Sequence, residues 1–187
     1  MIQDVDASVK ELLVQKVPVD NAAIDIKFEM PTKDWSGGVV RPTVNVFLYD
    51  VRENQELRSN ERFLIRHGNT ATETRAPVRL DFSYMLTVWT ADVSDEHQLL
   101  GRLLSALLRF PLLPPEVLKG VLVNQPMPVQ ACIAQPERTP NAWDFWGSLD
   151  NRVKVGVSYV LTAALETVAP MEVGLVTQSS LGLKDTV

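Results

Sequence analysis

Residues 78–90 constrain the fold more than any other stretch. Leu80, Phe82, Tyr84, Leu86 and Val88 alternate with Arg79, Asp81, Ser83, Met85 and Thr87. Such a period of two predicts a strand with one face in a core. Ser94-Asp95-Glu96 then opens a helix, a capping residue followed by two carboxylates that favour the positive end of the dipole. This helix carries Leu99, Leu100, Leu103, Leu104, Leu107 and Leu108, a wide apolar face, and Pro111 ends it. A long strand beside an apolar helix predicts a sheet covered by helices.

The remaining pattern extends that picture. Val5, Val9, Leu12, Leu13 and Val17 share one face of a helix from about Asp4, and Pro18 stops it. Residues 23–30 alternate Ile24, Ile26, Phe28 and Met30 with Asp25, Lys27 and Glu29, a half-buried strand. A loop with Gly37-Gly38 and Trp35 follows. Residues 43–51 carry large side chains on both faces, which predicts a central strand covered on both sides. Later elements are a helical turn from Pro114, brief strands at Val121–Val123 and Val129–Ile133, a short helix at Asn141–Leu149, and a strand from Val153 to Thr162. Strands come in runs with helices between them. The fold class expected is α+β, with a mixed, mainly antiparallel sheet flanked by helices. At 187 residues, one domain over 1–170 is expected, with 171–187 a flexible tail rich in Gly, Ser and Thr.

Between the strands at 43–51 and 78–90 lies a long polar stretch. Arg52, Arg58, Arg62, Arg66 and Arg75 interleave with Glu53, Glu56, Glu61 and Glu73, and only Phe63-Leu64-Ile65 is strand-like. A connection of this length is uncommon unless it has a task, so residues 52–77 read as an arm or extended hairpin. Its charges fit either a solvated face or a docking element.

Chemistry is sparse. Two histidines, His67 and His97, and one cysteine, Cys132, give no metal-ligand spacing. Asp92, Asp95 and Glu96 beside His97 read as helix-start groups, with an acid–base or metal site as the alternative. Gly156-Val157-Ser158 starts like a nucleophile elbow, but the closing glycine is absent and Ser158 falls inside a strand. No phosphate loop or dinucleotide fingerprint is present. No catalytic residue, cofactor or metal is expected. Cys132 is expected to be a small core residue and Trp89 to be core. Trp143 and Trp146, three apart on one side of a helix, fit either packing on the sheet or an interface anchor.

A net charge of −5 and a pI near 5.1 disfavour nucleic acid as a partner. Leu99–Leu113 is too short and too interrupted to cross a bilayer, so no membrane insertion is expected. The N-terminus lacks a signal-peptide pattern, which places synthesis and assembly in the cytoplasm, with final release or anchoring left open.

Several phrases in series carry a resemblance. They are Arg41-Pro-Thr-Val-Asn-Val-Phe-Leu-Tyr-Asp-Val-Arg-Glu-Asn54, Pro77-Val-Arg-Leu-Asp-Phe-Ser-Tyr84, Trp89 followed by Asp95-Glu-His-Gln-Leu-Leu-Gly101, Gln125-Pro-Met-Pro-Val129 and Asp144-Phe-Trp146. Together they resemble a bacterial domain family long of unknown function. Its members include the tail-terminator or cap proteins of extracellular contractile injection systems. The resemblance runs from about residue 1 to 165. It implies a tail-terminator-like fold and a structural role, six copies closing the distal end of sheath and inner tube as a ring. The partners implied are further copies of the chain, sheath protein and tube protein. Arg52, Arg58, Arg62 and Arg66, with Trp35 and Trp143, are then the interface candidates, because Arg and aromatic residues anchor interfaces. A monomeric assembly adaptor or chaperone is the alternative, and a hydrolase centred on His97 is the enzyme-class reading.

Overall fold

In the computed structural model the described residues are 1–20, 22–138 and 140–174. The chain runs α1 (Ile2–Lys16), β1 (Asp25–Lys27), α2 (Lys33–Gly37), β2 (Thr43–Glu53), β3 (Arg62–His67), β4 (Thr70–Arg75) and β5 (Val78–Trp89). It continues through α3 (Val93–Leu107), β6 (Gln130–Ile133), α4 (Ala142–Ser148), β7 (Gly156–Leu165) and β8 (Met171–Gly174). Five strands form the main sheet in the order β1-β2-β5-β7-β6, and three form a second sheet in the order β3-β4-β8. Only β1 and β2 run parallel; every other pair is antiparallel. The mixed, mainly antiparallel α+β expectation holds.

β5 lies at the centre, and its alternation decides the layers. Phe82, Tyr84, Leu86 and Val88 point to one face, where they meet Val44 and Val46 of β2 and Tyr159, Leu161 and Ala163 of β7. α1 covers this face with Val5, Val9, Leu12 and Leu13, and α3 with Leu99, Leu100, Leu103 and Leu107. Each fully buried aliphatic side chain here contributes on the order of 1.5–3 kcal/mol. Tyr84 is buried, and its hydroxyl donates to Asp6 Oδ1 at 2.7 Å. Burial raises the pKa of both groups. Ser8 ties α1 to the following loops, since its Oγ accepts from Lys119 N at 2.9 Å.

The opposite face of the sheet is smaller and aromatic. Phe145 and Trp146 of α4, with Leu149 just after it, pack on Met85, with Phe47, Tyr49 and Trp89 around them. Tyr49 lies two residues on from Phe47 and so shares this face, and a bulge in β2 between Leu48 and Asp50 then shifts the pairing with β5 by one residue. Tyr49 then meets Phe145 edge-on at 5.6 Å and donates its hydroxyl to the Arg138 carbonyl. The covering of β2 on both faces, expected from its residues, is real in its first half, Thr43–Val46, and fades beyond it.

At Gly156, β7 leaves no room for a side chain against β5. A Cβ there would sit 2.8 Å from Met85 Sδ and 3.2 Å from the Leu86 carbonyl oxygen. Gly156→Ala is therefore expected to cost about 1–3 kcal/mol by overpacking. Urea unfolding of the variant checks this; an unchanged midpoint would mean that β7 shifts freely.

Several sequence expectations need correction. Cys132 is exposed, because β6 turns Ala131 and Ile133 toward the core and leaves the residue between them facing out. Trp89 is half-buried at the end of β5, although it meets Trp146 of α4 and Trp35 of α2 edge-on. The first strand is short, and Lys33–Gly37 within the expected loop is helical, capped by Thr32 Oγ1 accepting from Trp35 N at 3.3 Å. Residues 120–122 form a 3-10 turn instead of a strand, with Gly120 at positive φ. Asp92, not Ser94, caps α3, its carboxylate accepting from Ser94 N at 2.7 Å. Met171–Gly174, expected to be loose, pairs with β4, while residues 175–187 lie outside the described residues.

Candidate functional site

Within the stretch 52–77, Arg52 and Glu53 end β2, and residues 62–75 fold as a β-hairpin beyond it. β3 and β4 pair from Arg62↔Arg75 to His67↔Thr70 around a two-residue turn, Gly68-Asn69. Gly68 has φ of +66°, as a hairpin turn with glycine in the first position requires. β8 closes the far side of β4, which leaves β3 as a free edge among the described residues.

Every residue of β3 is exposed. Phe63, Leu64 and Ile65 are each half or more accessible, at 50%, 59% and 57%. Strand alternation puts Arg62, Leu64 and Arg66 on one face of the small sheet and Phe63, Ile65 and His67 on the other. Arg75 and Glu73 of β4 share the first face. Isolated apolar residues on a surface are ordinary, but three consecutive ones on an unpaired edge form a ready template for another strand.

The four arginines expected at an interface are all solvent-facing but not gathered. Arg52, near the end of β2, pairs with Asp50 at 2.5 Å. Arg58, in the loop before β3, pairs with Glu53 at 3.4 Å. Arg62 pairs with Glu73 at 3.1 Å. Arg66 has no acidic partner among the described residues. Exposed pairs of this kind each contribute about 0–1 kcal/mol, so they are weak locks that a partner's carboxylates can replace. A cleft of about 390 Å³ at the arm's base is lined by Arg58, Arg62 and Arg75 with Glu53 and Glu61.

The two tryptophan candidates differ. Trp35 is half-buried, meeting Trp89 edge-on at 5.4 Å and donating Nε1–H to Glu29, so it fastens α2 to the sheet. Trp143 is 75% exposed, whereas Trp146 is 2% exposed. The expected sharing of one side therefore fails, because the buried stripe is Phe145 and Trp146 of α4, with Leu149 just after it.

Sequence reading missed how the arm is rooted. Asp81 Oδ2 accepts from Arg138 Nη1 at 2.6 Å, and Oδ1 from Thr162 Oγ1 at 2.5 Å. Asn54 Nδ2 reaches both oxygens at 3.1 Å. Asn54 Oδ1 in turn accepts from Leu57 N at 3.0 Å, and Asn54 N donates to the Arg79 carbonyl. The first turn of the arm is thus hydrogen-bonded to the sheet. Asn54 and Asp81 stand 27 residues apart, and only their strand register joins them.

The His97 reading finds no support in geometry. Asp95 and His97 are exposed on α3, while Glu96 between them is buried and bonds Lys154. Among the described residues no group of three or more His, Cys, Asp or Glu side chains is placed to hold a metal. Ser158 is buried within β7. No described helix is long and apolar enough to cross a membrane.

The family model described as "Pvc16 N-terminal domain" matches residues 4–179. No curated protein sequence matches the chain. Several solved structures share its fold. One is the cryo-EM structure of the PVC sheath/tube terminator of an extracellular contractile injection system in the extended state, with a TM-score of 0.73 and 24% identity. That alignment covers 100% of this chain and 64% of the other. The second is the anti-feeding prophage cap, a tube-terminating cap, with a TM-score of 0.68 and 22% identity over 98% of this chain and 61% of the other. The chain thus spans somewhat less than two thirds of each of these proteins.

Proposed function

The chain belongs to the Pvc16 N-terminal domain family, and from that premise we propose that it is a tail-terminator subunit, a structural cap on the sheath and inner tube of a contractile injection particle. The observation that carries this reading is the fold match over the whole chain to a sheath/tube terminator and to a tube-terminating cap. Six copies form the ring, since a cap on a cylindrical tube needs head-to-tail contacts that close on themselves. The arm and Trp143 supply contacts that a lone subunit leaves bare. Sheath and tube proteins are the partners, and the particle carries the subunit out of the cell where it is made. The role needs no bound cofactor and no reaction.

Light scattering across a concentration series, with a pull-down against sheath and tube proteins, tests this. Assembly toward a hexamer with capture of tube or sheath is expected. A strict monomer that captures neither would overturn the proposal, and one that captures unassembled subunits alone would point to an adaptor or chaperone.

A further inference from the structure

Besides the short β8, two sheet edges stand open among the described residues, β1 and β3, and they lie at opposite ends of β2. β1 flanks β2 at Thr43–Asn45 and has no strand on its other side. The arm leaves β2 beyond Glu53. By strand rise the two are separated by roughly 25 Å. The opposite edge of the main sheet, β6, is already covered, since Leu112 bridges Gln130 and Ala131 N donates to the Pro111 carbonyl. One copy therefore has no means of joining its own arm to β1, whereas two copies placed head to tail do.

The backbone groups on offer follow from the hairpin. A two-residue turn is closed by a hydrogen-bonded pair, here His67 and Thr70. His67, Ile65 and Phe63 then direct their N–H and C=O toward β4, and Arg66, Leu64 and Arg62 direct theirs outward. On β1, Asp25 N donates toward β2, to the Pro42 carbonyl, so Ile26 directs its N–H and C=O to the open side.

Charge fits the same partner. The hairpin 62–75 holds Arg62, Arg66 and Arg75 against Glu73, a surplus of positive charge on a chain whose net charge is −5. On one side of β1, Asp25, Glu29 and Asp34 line a cleft with Lys27 and Arg41, and on the other Lys10 and Lys27 flank Asp25. The arm's surplus arginines can meet the three carboxylates of the first cleft only on another copy.

We propose that β3 of one subunit adds, edge to edge, to β1 of the next, extending the main sheet of each subunit by its neighbour's arm. This is strand addition, in which main-chain hydrogen bonds bind and side-chain alternation sets the register. It names the subunit contact within the ring and rests on that ring reading. The contact joins two different patches, so it propagates around a ring until it closes.

Two variants test it. Leu64→Pro removes an outward N–H and spares the bonds to β4, so the hairpin persists while its edge is blocked. Association measured by sedimentation is expected to weaken at least tenfold, with unchanged circular dichroism, while Leu64→Ala assembles more like wild type. In a Cys132→Ser background, Lys27→Cys paired with Phe63→Cys or Ile65→Cys places two thiols across a closely spaced strand pair. Oxidation is expected to give a ladder of cross-linked multimers. Assembly of the wild type with neither cross-link nor a Leu64→Pro effect would overturn this contact and leave the ring standing. A wild type that stays monomeric and uncross-linked at every concentration and captures neither sheath nor tube protein would overturn both.

Discussion

Alanine at Trp146 lowers the free energy of unfolding by about 3–5 kcal/mol, the usual cost of emptying a large aromatic site in a core. Trp146 is almost wholly buried and meets Phe145 and Trp89 edge-on at 5.4 and 6.3 Å. It also packs with Met85 and Leu149. α4 has only seven residues, too few to hold its shape in water without such packing. Once the indole is gone, α4 lifts from the sheet, and Phe47 and Tyr49 lose their cover. Trp143→Ala on the same helix is expected to change stability by about 0.5 kcal/mol or less, since the ring touches mostly water. Urea titration of the two variants side by side checks this. Equal losses would mean that α4 does not pack as described.

Asp81→Ala is expected to cost about 2–4 kcal/mol, because it strands the three groups that the carboxylate receives. Arg138 loses its ion pair, and the buried Thr162 and Asn54 lose their acceptor. Asp81→Asn keeps one acceptor oxygen and is expected to lose less. The second readout is local. With Asn54 released, the loop between β2 and β3 opens, and limited proteolysis near Leu57 and Arg58 accelerates more than global stability accounts for. Proteolysis that merely tracks the change in unfolding free energy would show that Asp81 does not root the arm.

The parts of this fold that repeat with a clear period were legible. β5, α1 and α3 carry long runs at steps of two, or of three and four, and burial follows them closely. Short elements were not. β1 pairs over three residues only, and α2 is a single turn held by Thr32 and Trp35, so neither has enough length for a pattern to show. Cys132 is instructive. Its residue type argues for burial, but Val129, Ala131 and Ile133 had already claimed the inner face, and the alternation was the better guide. β8 was invisible because its stability comes from β4, about a hundred residues earlier, and not from its own four residues. At the candidate site, the arginines and the length of the arm were readable. The bare edge of β3 and the Asp81 hub were not, because both depend on which strands become neighbours.

That late strand has a consequence for timing. β4 is synthesised early, but its outer partner Met171–Gly174 leaves the ribosome only after the main sheet's own strands are complete. Until then the hairpin is a two-stranded ribbon, which is marginal in water. Only a chain extended through Gly174 gives the hairpin its third strand, so the arm is the last part of the described fold to be completed, after the sheet it stands on.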